Sequence, residues 1–243
     1  LLLRYLKKIF YNSVAELREM TDQLHETLKD IKAKFRLYMN GVVSQSMREK
    51  GLDYKLNFGI EYPRIREIAA GYEPGHELAQ ALWKENIREC KIMAGLLQPV
   101  DSFYREIAEI WMEDIHNSEL AQYTVMNLFQ HLPYAAEVVF CWIADEREYF
   151  QLCGFLLMAR LLMNGMTLND RAEAEFMDQA FTALESDSLQ IRKAAALALC
   201  KFGSQSRENM KKLGKPLAVL SKSQRPGVSA IAEEIKNEAE YCR

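Results

Sequence analysis

The sequence predicts an all-α fold built from consecutive pairs of short helices. Three observations carry this. Apolar residues recur at three- and four-residue steps through nearly the whole chain, which gathers them on one face of a helix. Glycine and proline are scarce, 11 and 6 in 243 residues, and several of them fall between the periodic stretches. One segment alone, 54–62, alternates as a strand would, and a single strand has nothing to pair with. The composition is that of a folded chain, with 49% hydrophobic and 27% charged residues, well outside the disordered range.

The elements follow in order. Val14, Leu17, Met20, Leu24, Leu28, Ile31 and Phe35 step along one helix face, with Ser13 available as its N-cap. Tyr54, Leu56, Phe58, Ile60 and Tyr62 read as an extended connector laid over a helical core. Pro63 suits a first helical turn, and Ile65, Ile68 and Ala69 continue it. The run Gly71-Tyr72-Glu73-Pro74-Gly75 is a turn. Helices are then expected near 76–84, 86–97, 102–115, 118–131, 134–144, 146–163, 171–185, 188–202, 207–221 and 227–241. Pro99, Pro133, Gly165, Gly203 and Pro226 break the pattern between several of them. The expected organisation is one repeat domain over 1–243, in which helices within 1–40 could cap the stack or meet another protein.

Helices of this length joined by short turns suggest paired-helix repeats. Asp187, Ile191-Arg192, Ala195 and Ala198-Leu199 match the second helix of a HEAT repeat, whose small residues admit a close neighbour. Asn86-Ile87-Arg88 with Cys90, Ala94 and Leu97 echoes it 104 residues earlier, as Ile87 to Ile191. That is about three periods of roughly 35–40 residues. The expected architecture is a HEAT-like α-α solenoid.

Other chemistries find little support. The five cysteines, Cys90, Cys141, Cys153, Cys200 and Cys242, are odd in number and far apart, against a disulfide framework or a zinc ribbon. Four of them lie in apolar helical runs, and the chain reads as reduced and cytoplasmic. The start, Leu1-Leu2-Leu3-Arg4, shows no signal-peptide pattern and reads as the beginning of a trimmed or processed chain. The longest apolar run, 152–159, ends at Arg160 and is too short for a membrane span of about 20 residues. Glu113 and His116 have the spacing of half a di-metal site, but no second pair exists, and His25, His76 and His131 stand apart. No metal or cofactor is therefore expected. Trp111 and Trp142 fit apolar stripes and read as core. No phosphate loop, GxSxG or HExxH is present.

Phe58-Gly59-Ile60-Glu61-Tyr62-Pro63-Arg64-Ile65-Arg66 resembles the opening motif of AlkD-type DNA alkylation repair proteins. So do Glu77-Leu78-Ala79 through Leu82-Trp83, Arg88-Glu89 and Met93-Ala94. Met126-Asn127-Leu128-Phe129, the run from Gly154 to Leu161, and Lys193-Ala194 through Gly203 match that family's middle and late helices. Together the motifs run from about residue 45 to the C-terminus. The resemblance implies a C-shaped HEAT-like stack with a basic concave groove for duplex DNA. It also implies a glycosylase that removes cationic alkylated purines.

Such chemistry leaves oxocarbenium-like positive charge on the deoxyribose, which a fixed carboxylate stabilises while it places the attacking water. Aromatic faces support the same cation. The resemblance puts these groups in a Trp-Asp-x-x-Asp run, here Ser118-Glu119-Leu120-Ala121-Gln122. Ser118 stands at the Trp and Gln122 at the functional Asp. Leu197 takes the place of a second Trp and Leu152 that of a supporting Arg. No catalytic residue is therefore expected at Ser118, Gln122, Leu152 or Leu197. Glu119 is next to Ser118 and is not expected to take its place, since a single step turns a helix by about 100° from that position.

Charge is unevenly distributed. The chain carries 31 Lys+Arg and 34 Asp+Glu, a net −3. Between 192 and 225 lie Arg192, Lys193, Lys201, Arg207, Lys211, Lys212, Lys215, Lys222 and Arg225, with Glu208 the one acid. That stretch nets +8, so the remainder carries −11. These nine cations are the expected nucleic-acid contacts. The expected function is a non-catalytic, DNA-binding member of the family, with duplex or structured DNA as partner and a nucleoid association if it binds. An active glycosylase with a rearranged pocket, excising N3- or N7-alkylated purines, and a protein-binding HEAT scaffold are the alternatives.

Overall fold

A computed structural model describes residues 2–241, with side chains placed over 20–238 apart from Pro226. The described residues are helical almost throughout and divide into two compact units, Leu1–Ser102 and Phe103–Arg243.

The first unit holds α1 (Leu2–Leu37), α2 (Gly41–Glu49), α3 (Tyr62–Ala69), α4 (His76–Lys84) and α5 (Arg88–Leu97). No Gly or Pro interrupts residues 2–37, so α1 begins well before Ser13, which lies inside it and not at its cap. The Val14 and Leu17 side chains lie outside the described residues. Ile31 and Phe35 are fully buried, and Lys32 Nζ meets Oε1 of Glu85, the residue that caps α4, at 2.6 Å. Helix α2 was not evident from periodicity. Its cue is Asn40, whose side-chain oxygen accepts from Val43 N at 3.2 Å and caps it.

The alternating segment is indeed an extended connector, and it finds a short partner. Leu56 N donates to Asn86 O at 3.2 Å and Arg88 N to Leu56 O at 3.0 Å, around a parallel bridge between Leu56 and Ile87. Tyr54, Phe58 and Ile60 turn inward and Leu56 outward. Two buried charges at the start of α5 hold the strip. Glu89 Oε2 accepts from Phe58 N at 3.1 Å and its Oε1 from Ile60 N at 3.2 Å. Arg88 Nη1 donates to Ile60 O at 2.8 Å and to Glu89 Oε1 at 3.1 Å. Gly59 has φ +70°, and a Cβ there would sit 2.2 Å from Asn40 O. The segment 58–60 is thus held by the Arg88 and Glu89 side chains, which bond to its backbone amides and carbonyl.

The second unit holds α6 (Arg105–Glu113), α7 (Ser118–Asn127), α8 (Ala135–Ile143), α9 (Glu148–Met163), α10 (Asp170–Leu184), α11 (Leu189–Gln205), α12 (Arg207–Leu220) and α13 (Pro226–Tyr241). The stretch expected as one helix over 118–131 is α7 followed by a 3₁₀ turn at Phe129–His131. Helices α7, α9, α11 and α13 pack each against the next, while α8 packs on α9, α10 on α11, and α12 on both α11 and α13. Trp111 and Trp142 are buried and join Phe103 and Phe129 in one aromatic cluster.

One expected breaker is absorbed, while Pro226 stays at a helix boundary. Gly203 lies inside α11, where its missing side chain makes room for Met210 and Leu213 of α12. Pro226 is the first residue of α13, a position where its lacking N–H costs nothing. Gly165, at φ +92°, ends α9 as expected.

Gly154 fixes the approach of α9 to α8. A Cβ there would lie 2.6 Å from Ile143 N and 2.8 Å from Trp142 C, both backbone atoms. Gly154→Ala must push the helices apart, and we expect it to destabilise the fold by about 1–3 kcal/mol. A urea denaturation midpoint equal to that of the parent would contradict this packing.

Cys90 and Cys153 are buried, Cys200 is half-buried and Cys141 is exposed. Burial pushes the Cys90 and Cys200 thiols up to about 12, so neither forms a thiolate near neutral pH. Cys242 lies outside the described residues. No described helix is long and apolar enough to cross a membrane.

Candidate nucleic-acid interface

Three helices of the second unit, α7, α9 and α11, line an open pocket of about 460 Å³. Each helix lends a stripe. Gln122 and Met126 come from α7 at a four-residue step, Leu156, Arg160 and Met163 from α9, and Leu197 and Lys201 from α11. The four-residue steps place these residues on adjacent turns of one face. Val125 and Ala159, each 1% exposed, form its floor.

Two of the four positions singled out in the sequence, Gln122 and Leu197, therefore meet in one pocket. Ser118 and Leu152 do not line it. Ser118 opens α7 one turn before Gln122, next to the Asn117 cap. Leu152 is buried in α9, one turn before Leu156. Glu119 does not line the pocket either.

Two cations define the pocket's charge. Arg160 and Lys201 both line it, and neither makes an ion pair among the described residues. No Asp or Glu is among the lining residues. Arg160 was not among the expected contacts. The signal was present, since it is the one charged residue of α9 after Glu148. A lone cation in an apolar helix needs an outlet to solvent or an anion.

The nine expected cations separate by role. Arg192 Nη1 donates to Ser186 O at 2.6 Å and Asp187 O at 3.1 Å, tying the α10–α11 turn. Arg225 donates to Glu185 O and pairs with Asp187. Lys212 pairs with Glu173 of α10 at 2.8 Å, and that hydrogen bond raises its pKa. Lys193 lies one turn before Leu197 on the exposed stripe of α11 that ends in Lys201. Arg207, Lys211 and Lys215 project from α12, and Lys222 from the turn after it, without ion pairs among the described residues.

Glu113 lies 3.5 Å from Arg147, and His116 Nδ1 lies 2.8 Å from Asp114 O. Among the described residues, no three His, Cys, Asp or Glu side chains converge as a metal site would require.

The family described as "DNA alkylation repair enzyme" matches residues 29–213. The chain belongs to that family. Its fold is similar to a solved structure described as "a new family of proteins related to the HEAT-like repeat DNA glycosylases with affinity for branched DNA structures". That likeness has a TM-score of 0.72 at 13% identity and covers 86% of this chain and 94% of the other. An engineered protein also matches at 13% identity with a TM-score of 0.42, over 74% of this chain and 86% of its own. No curated protein matches. As a member of the DNA alkylation repair family, the chain has the HEAT-like helical fold expected from its helix pairs.

Proposed function

We propose that this chain is a DNA-binding member of the family that does not cleave the glycosidic bond. One observation carries the reading. The pocket that gathers Gln122 and Leu197 is lined by two cations and by no carboxylate. Base departure builds positive charge on the deoxyribose, and Arg160 and Lys201 oppose that charge where an Asp would stabilise it. The same two cations favour a phosphate. The described affinity of the structural neighbour for branched DNA supports DNA as the partner class.

The test has two arms. Duplex DNA carrying N3- or N7-methylpurines should release no base above the uncatalysed rate. Release that Glu119→Gln abolishes would establish an active glycosylase and end the proposal. Fluorescence anisotropy should show duplex binding at low salt that weakens as salt rises. If no DNA is bound, a protein-binding scaffold takes its place.

A further inference from the structure

We infer that the outward stripe of α12 is a second DNA-contacting surface, which receives a different arm of branched DNA from the one lying over the pocket. The inference rests on the DNA-binding reading above and adds a location and a substrate geometry to it. Arg207, Lys211 and Lys215 follow at four-residue steps, within an arc of about 80° around the helix. Lys222 continues the stripe just past the helix end. All four are exposed and make no ion pair among the described residues.

The stripe faces away from the pocket. Leu213, Leu217 and Leu220 are the buried side of α12, and Leu213 lies against Gly203 of α11. None of the α12 residues lines the pocket among α7, α9 and α11. A straight duplex laid over the pocket layer would pass Lys193, Lys201 and Arg160, and would leave the α12 stripe on the opposite side. A junction offers a second arm for it.

The stripe works against helix stability. Arg207 occupies the first position of α12, where the helix dipole disfavours a cation. Like charges at four-residue spacing repel. Lys212, one residue from Lys211, shows the contrast, since it turns toward α10 and pairs with Glu173. Three unpaired cations stacked on one stripe are therefore explained by a polyanion outside the protein, not by folding.

The test uses the full chain with Arg207→Gln, Lys211→Gln and Lys215→Gln combined. Its binding to a four-way junction and to a linear duplex is compared with the parent by fluorescence anisotropy at low salt. Junction affinity should fall about tenfold, and its log–log salt slope should shrink by about 2–3. Duplex affinity should stay within about twofold, because the pocket cations are intact. The thermal midpoint should not fall, since the change relieves repulsion. Unchanged junction binding would overturn the inference, and so would an equal loss for both DNAs. If the parent binds neither DNA, the DNA-binding reading itself fails and the inference goes with it.

Discussion

Replacing Glu89 by alanine is expected to cost the protein about 3–5 kcal/mol of stability, the largest loss from any single substitution considered. The carboxylate is wholly buried and satisfies the Phe58 and Ile60 amides and the Arg88 guanidinium together. Removing it strands two buried N–H groups and takes one charged partner from the buried Arg88, which is 1% exposed. Glu89→Gln keeps one acceptor oxygen but not the charge, so its loss should be smaller. Glu67→Ala serves as the control. It breaks only the exposed pair with Arg64, and pairs of that kind contribute about 0–1 kcal/mol. Urea denaturation followed by circular dichroism measures all three. A Glu89→Ala loss no larger than that of Glu67→Ala would mean that the buried carboxylate does not anchor the connector.

The fold was largely legible because helix pairs write their packing into sequence. Three- and four-residue spacing marked α4 and α8–α13 closely, and the small residues Ala194, Ala195 and Ala198 marked the tightly packed face of α11. What periodicity missed depends on contacts between distant residues. Helix α2 is short, and Gly41 after Asn40 reads locally as a turn. The connector's partner could not be seen, because its bonds run from 56–60 to 86–89, about 30 residues apart. Breakers were over-read at Gly203, whose value lies in the side chains it admits from α12.

The candidate site divides along the same line. Of the four positions taken from the family resemblance, Gln122 and Leu197 share one pocket, since each sits on the exposed stripe of its own helix, while Ser118 and Leu152 do not line it. Charge counting over 192–225 could not separate Arg192, Lys212 and Arg225, which bond to acceptors within the protein, from Lys193, Lys201, Arg207, Lys211 and Lys215. The Lys212 and Arg225 partners, Glu173 and Asp187, lie 39 and 38 residues away and come close only in the fold, while Arg192 bonds to the neighbouring turn at Ser186 and Asp187. Arg160 was missed for the opposite reason. It lies outside the basic stretch, and only the layer of α7, α9 and α11 brings it beside Lys201.

Reversing both pocket cations, Arg160→Glu with Lys201→Glu, is expected to weaken duplex binding about a hundredfold at low salt. Two attractive charges are lost and two repulsive ones are placed against phosphates. The log–log salt slope should also fall by about 2, at 0.9 per phosphate contact. Neither side chain makes an ion pair among the described residues, so the thermal midpoint should hold within about 2–4 °C. The neutral pair Arg160→Gln with Lys201→Gln separates charge from shape: it should show the slope change with a smaller loss of affinity. Reversal also alters the chemistry available, because it places two carboxylates beside Gln122. A gain of methylpurine release in that variant would show that the missing negative charge is what silences the pocket. Unchanged duplex affinity would remove the pocket from the DNA footprint and leave the α12 stripe to bind alone.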